Sequence, residues 1–232
     1  MRKLKSIRII FSVNLLQTTQ HSTLVLISRI KEVRQMADLA GHRVGTWRAG
    51  FSEIPHIIDD EQQLGIEWVQ FTNPLNLYIS GAIDAALAKS YNEQVLFAMA
   101  GITPGSVISF ADMGYDFPED GLYVTEAFYN KYPEQCRLFA EASRKGWEWV
   151  RSHRDEALDI VMRHVKAEKV PTNVYNQKWM LDAVLQEQED VKGEAPSYTL
   201  SADDFERLNA TLLKHGYITK PVVYNRFVGG NQ

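Results

Sequence analysis

A chain of 232 residues that is 45% hydrophobic and 23% charged is long enough for one large α/β domain or for two lobes with separate cores. Its net charge of −4 hides an asymmetry: residues 1–34 carry seven basic side chains against Glu32 alone, which leaves the remainder at −10 and argues against nucleic acid as a partner. No apolar run approaches the roughly 20 residues of a membrane helix, and with Cys136 as the single cysteine, disulfides within the chain and multi-thiolate sites are excluded.

The basic start followed by Ile9 to Leu16 has the order of a signal peptide's n- and h-regions. Ser12 and Asn14 interrupt that run and no Ala-x-Ala site follows, so it reads as a charged terminus entering a strand. From residue 24 to 110 short apolar runs alternate with helical stretches, the pattern of βα units in a doubly wound parallel sheet. The expected strands are Thr23–Ser28, Arg43–Trp47, Ile66–Phe71, Ile83–Ala88 and Val107–Phe110, and the expected helices are Phe51–Gln63, Pro74–Ser80 and Asn92–Ala100. Beyond Phe110 comes a turn-rich loop, Asp112 to Gly121, and the rest reads as helical: Pro133 to Val150, Asp155–Val165, Tyr175–Gln188, and a helix opened by Ser201 and Asp204 that stops at Gly216. Lys192–Pro196 reads as a polar loop, and no internal repeat is visible.

Gly81 to Glu93 is the most informative stretch, because small apolar residues run straight into Tyr91-Asn92-Glu93. A buried parallel strand followed by a ring, an amide and a carboxylate places hydrogen-bonding groups at the sheet's carboxyl edge, where open α/β sheets collect ligands. The same residues also suit a helix start, with Asn92 or Ser90 capping and Glu93 favouring the positive dipole end. His42 to Phe51 reads as strand, loop and helix start; Arg48 and free backbone N–H groups there suit an anion and Trp47 suits stacking, although an ordinary turn fits as well. Metal is not expected, since no two histidines stand at zinc spacing, and nucleophile or dinucleotide signatures are absent. No catalytic residue and no cofactor is assigned.

Several segments together resemble one family, the two-lobed substrate-binding proteins of ABC importers that carry thiamine-pyrimidine precursors, alkanesulfonates and related small molecules. The resemblance lies in Gln20 to Ser28, Asp38 to Trp47, Gly81 to Ala85 with Tyr91-Asn92-Glu93, Phe117 to Tyr123, and Pro133 to Trp147. It implies a periplasmic-binding-protein type 2 fold, α/β with parallel-rich sheets and a helical C-terminal region, whose lobes close over a ligand. Carried over, it gives one lobe from residues 1–27 and 108–232 and the other from 28–107. Gln20 and His21 fall at the first crossover, Trp47, Arg48, Gly50 and Phe51 on the second lobe, Tyr91, Asn92 and Glu93 near the hinge, and Asp112 to Tyr115 at the return crossover. Glu93 and Asn92 are then expected to hydrogen-bond a small polar aromatic ligand, Trp47 or Tyr91 to stack on it, and Arg48 with the Gly50 backbone to hold any anionic group.

The resemblance also implies a monomer, periplasmic or at the cell surface, whose partners are the small-molecule ligand and the ABC permease and ATPase. The family begins with a longer N-terminal part that this sequence does not match, so the first lobe is expected to be incomplete and a non-binding remnant is an alternative. A fungal relative of the fold makes the thiamine pyrimidine, but its cysteine-rich iron motif has no counterpart beside Cys136, which disfavours an enzyme.

Overall fold

The computed structural model describes residues 11–48, 50–189 and 196–229. The signal-like start through residue 10 and residues 192–195 of the expected polar loop lie outside the described residues. The strands are β1 (Ser12–Gln17), β2 (Leu24–Ser28), β3 (Arg43–Trp47), β4 (Glu67–Phe71), β5 (Ala85–Lys89), β6 (Ser106–Ser109) and β7 (Gly121–Thr125). The helices are α1 (Glu53–Gln62), α2 (Pro74–Ile79), α3 (Glu93–Met99), α4 (Glu126–Lys131), α5 (Pro133–Ser152), α6 (Arg154–Ala167), α7 (Val174–Glu187), α8 (Ala202–Lys214) and α9 (Tyr224–Phe227).

Two compact units divide the chain. The first comprises Met1–Gln20, Pro118–Ser152 and Asp190–Gln232, and the second His21–Phe117 and His153–Glu189. The sequence reading draws its boundaries at 27 and 108, whereas the chain passes between units at 20/21 and 117/118. The reason is strand pairing: β2 lies between β5 and β6, so a cut at residue 27 would split a strand that is hydrogen-bonded on both edges. Residues 153–189 also belong with the second unit, where the Ser90 hydroxyl donates to Glu187 of α7.

The second unit is built on a five-stranded sheet in the order β4-β3-β5-β2-β6. β3 pairs parallel with β4 and β5, but β2 runs antiparallel to both β5 and β6, so the sheet is mixed where a parallel one was expected. A strand buried on both faces reads as a continuous apolar run, and such a run carries no sign of its direction. Alternation along β2 and β5 sorts the core onto two faces. Leu24, Leu26 and Leu87 join Val44, Ile58 and Phe110 on one side, while Val25, Ile27, Ala86 and Ala88 join Tyr78 and Phe97 on the other.

In the first unit β1 and β7 form a two-stranded antiparallel sheet. β7 is absent from the sequence reading because none of its five residues is buried, which removes the apolar signal. Among the described residues its core cluster is small: Leu200, Phe205 and Val228. α5 is 20 residues long yet buries only Cys136, leaving Leu138 and Phe139 half exposed or more.

Asp84, just before β5, ties three strands together. Its carbonyl accepts from Arg29 N–H (3.0 Å), its own N–H donates to the Arg43 carbonyl (2.8 Å), and its carboxylate accepts from the Arg43 backbone N–H (3.0 Å). Burial alone would raise this carboxyl, but the Arg43 N–H, the Arg43 guanidinium and His42 outweigh it and hold it below its usual value. A group whose folded value is lowered stabilises the fold above the ordinary carboxylate range, and the contribution is lost as pH falls through the lowered value. Asp84→Asn should therefore cost about 1 to 2 kcal/mol at pH 7. Urea melts should show that gap narrowing by about pH 3; a gap independent of pH would remove the carboxylate charge as its cause.

Candidate functional site

The carboxyl ends of β3 and β5 form one edge of the second unit's sheet. Because Val44 and Gly45 pair with Ala85 and Ala86, Trp47 falls beside the last residues of β5. Leu24 lies opposite Lys89, and Ser90 N–H donates to the Thr23 carbonyl (2.9 Å), so the chain entering β2 meets the same edge. His21, Ser22, Trp47, Lys89 and the turn Ser90–Asn92 are thereby gathered by the backbone ladder.

After Lys89 the chain turns into α3. Asn92 N–H donates to the Lys89 carbonyl (3.1 Å), while the Glu93 carboxylate accepts from Lys89 N–H (2.9 Å) and from the Asn92 amide (3.3 Å). Glu93 thus closes its own turn, and both its oxygens have a donor from within it. Asn92 occupies the N-cap position, but its side chain turns to Glu93 and makes no cap hydrogen bond. Tyr91, just before Asn92, is half-buried.

The loop after β3 differs from the helix start expected at Phe51. Gly50 (φ +75°) and Phe51 (φ +60°) are both left-handed, which rules out a helix there, and α1 begins at Glu53. For a phenylalanine that conformation costs about 1 to 3 kcal/mol. The ring it presents is 50% exposed, meets Trp47 edge-on (5.8 Å between centroids), and covers the Lys89 ammonium, whose Nζ lies 4.3 Å from the ring centroid. Trp47 is half-buried, packs against the core on both faces, and also meets Phe71 edge-on at 5.5 Å. Arg48 and Gly50 are exposed.

On the β2 side, His21 Nδ1–H donates to Asp116 Oδ2 and Ser22 N–H to Asp116 Oδ1, both at 2.7 Å. Asp112 is exposed in the turn after β6, and half-buried Tyr115 packs against the core, its N–H bonded to the Phe110 carbonyl (2.9 Å). Gln20 belongs to the first unit, where its Nε2 is buried without a hydrogen-bond partner. The structure therefore brings together Trp47 with Phe51, Asn92 with Glu93, and His21 with Asp116, while Tyr115 serves the core. Lys89 and Asp116 escaped the sequence reading. A lysine closing an apolar run was a usable signal for the first; Asp116, inside a turn-rich loop, offered none. No group of three or more His, Cys, Asp or Glu side chains suited to a metal occurs among the described residues.

A separate cavity of about 180 Å³ lies in the first unit, walled by Asn14, Leu16, Tyr129, Cys136, Arg144 and Val228. None of the candidate residues lines it.

The profile of the NMT1/THI5-like family matches residues 11–157, more than half of the sequence. The chain belongs to this family. No curated protein matches it by sequence. Among solved structures it resembles a putative sulfonate ABC transporter protein, the periplasmic sulfonate-binding protein SsuA of Methylobacillus flagellatus KT, at 13% identity and a TM-score of 0.55, covering 94% of this chain and 65% of that one. The alkanesulfonate-binding SsuA of Xanthomonas axonopodis pv. citri, bound to MOPS, matches at 11% identity and 0.56 over 96% and 71%. The desulfurization enzyme DszB matches at 15% and 0.53 over 95% and 76%. At such identities the likeness concerns the fold, which is the type 2 periplasmic-binding-protein fold. The match covers 65% of the length of the first of these.

Asp116→Ala tests the β2 side of the edge. Losing two hydrogen bonds to a charged group, including one from a backbone N–H, should lower stability by about 1.5 to 3 kcal/mol in urea melts. A smaller cost than about 0.5 kcal/mol would mean that water replaces Asp116 freely.

Proposed function

We propose that this chain is the solute-binding component of an ABC importer and that a small polar aromatic molecule, such as a thiamine pyrimidine precursor, binds at the carboxyl edge of β3 and β5. Family membership supports binding and transport as the setting. The observation that carries the reading is the half-exposed Phe51 ring held in a strained backbone beside Trp47 and on the same edge as Asn92 and Glu93. Strain in a loop that presents an apolar ring to solvent serves packing poorly and serves a ligand well.

In this reading Trp47, Phe51 or Tyr91 stacks on the ligand ring, and Arg48 with the Gly50 backbone meets polar substituents. Asn92 and Glu93 hydrogen-bond its edge; each carboxylate oxygen has two lone pairs, so the bonds inside the turn leave Glu93 able to accept one more. His21 and Asp112, on the second unit, complete the proposed set. A periplasmic or cell-surface location and docking to a permease with its ATPase belong to the same proposal. The reading is one of binding without catalysis, although the enzyme DszB has the same fold.

Calorimetric titration with 4-amino-5-hydroxymethyl-2-methylpyrimidine tests it. Binding should be measurable, and Glu93→Gln should weaken it by about 1.5 to 3 kcal/mol, the range for a hydrogen bond to a charged acceptor. If Glu93 only closes its turn and favours the helix dipole, the same variant would instead lose roughly 0.3 to 1 kcal/mol of stability with affinity untouched. Thermal melts run beside the titrations separate the two outcomes.

A further inference from the structure

We propose that Asp116 is a positioning residue for ligand recognition: it holds His21 as the Nδ1–H tautomer, so that Nε2 accepts a hydrogen bond from a ligand amino group. The inference rests on the ligand-binding reading above and gives that site a specificity, for an amino-substituted ring over the same ring without the amino group.

Strand direction brings the pair to the edge already described. Because β2 runs antiparallel to β5 and β6 while β3 runs parallel to β5, the carboxyl ends of β3, β5 and β6 and the amino end of β2 lie along one edge of the sheet. His21 precedes β2, and Asp116 comes from the loop that follows β6, where Phe110 N–H donates to the Leu24 carbonyl (3.0 Å). On the other flank Ser90 N–H holds the Thr23 carbonyl. The chain at His21 is therefore fixed by the turn carrying Asn92 and Glu93 on one side and by the loop carrying Asp116 on the other.

The Asp116 carboxylate sets backbone and ring together. Its Oδ1 accepts from Ser22 N–H and its Oδ2 meets the imidazole Nδ1, both at 2.7 Å. A carboxylate has no proton to give, so Nδ1 carries the hydrogen and the neutral ring keeps its lone pair on Nε2. That nitrogen has no hydrogen-bond partner among the described residues, and the side chain is 23% exposed. Glu93 differs, since both of its oxygens already meet a donor of their own turn. An open acceptor held in one tautomer discriminates against a ligand lacking the N–H, because the nitrogen is then left without a bond once water is displaced.

Two probes test this by calorimetry at about pH 8, where an ordinary imidazole is neutral: 4-amino-5-hydroxymethyl-2-methylpyrimidine and 5-hydroxymethyl-2-methylpyrimidine. The amino compound should bind about 10-fold or more tightly in the wild-type chain. His21→Asn, whose amide N–H can take the place of Nδ1–H while nothing replaces Nε2, should weaken the amino compound about 10-fold and the other by less than about twofold. Asp116→Asn should weaken the amino compound several-fold, because one amide oxygen serves where two carboxylate oxygens did. Nitrogen NMR spectra of the ring supply the signature of positioning. In the wild-type chain the His21 signals, identified by their loss in His21→Asn, should show Nδ1 protonated and Nε2 bare, and Asp116→Asn should move the ring towards the Nε2–H form. If Asp116 served stability alone, its variant would weaken both compounds alike with the ring signals unchanged, and the positioning role would fall. Should Asp116→Asn fail to fold, the wild-type ring signals and the His21→Asn titrations still decide. Equal affinity for the two compounds in the wild type, an amino preference that His21→Asn leaves intact, or a His21 ring protonated at Nε2 overturns the inference and leaves the binding reading to the Glu93→Gln titration. If neither compound binds, both fall.

Discussion

Burial of β5 on both faces is the constraint from which the second unit follows. All five of its residues are enclosed, and neither edge is free, since β2 lies along one and β3 along the other. Four of them are alanine or leucine, which lets helices approach closely on each side; Phe97 of α3 and Tyr78 of α2 fill one face, Ile58 of α1 the other. A strand so placed has one place to put polar groups, its ends. Asp84 marks one end and Lys89 the other, and each has opposite charge or a ring face set against it.

The two ends differ in how that charge is met. At Asp84 the carboxylate's partners are the Arg43 N–H, the Arg43 guanidinium and His42 at the start of β3, while the Asp84 carbonyl accepts from Arg29 just after β2, so the residue is a structural knot. At Lys89 one of the groups set against the ammonium is the Phe51 ring, from a loop with strained backbone and half in solvent. The first arrangement gains stability from rigidity. The second holds an aromatic ring half in solvent on a backbone that costs some stability to maintain.

The strands and helices of the second unit were legible because their residues obey burial: Arg43–Trp47 matches its expected bounds, and the expected helices Pro74–Ser80 and Asn92–Ala100 differ from α2 by one residue at its end and from α3 by one residue at each end. What escaped did so for local reasons. β7 carries Tyr123 and Thr125 outward and buries nothing, so periodicity had no purchase on it. The direction of β2 is set by its neighbours and not by Leu-Val-Leu-Ile itself. At the proposed site, Trp47, Phe51, Asn92 and Glu93 were all named in the sequence, but the left-handed backbone of Phe51 was not legible there, because aromatic residues rarely accept that conformation and the sequence shows an ordinary helix start. Lys89 was visible all along as a charge ending an apolar run; that the Phe51 ring lies over it was not.

The two units also differ in how much apolar surface they enclose. The second has a core on each sheet face, while the described part of the first gathers Leu200, Phe205 and Val228 around a two-stranded sheet and leaves Leu138, Phe139 and Trp149 of α5 largely in water. Heat capacity of unfolding follows apolar exposure, and α5 is already wet on that flank. The heat-capacity change of unfolding should accordingly come mainly from the β5 sheet and its two covered faces, a division that a calorimeter reads as curvature of the stability profile instead of as contacts.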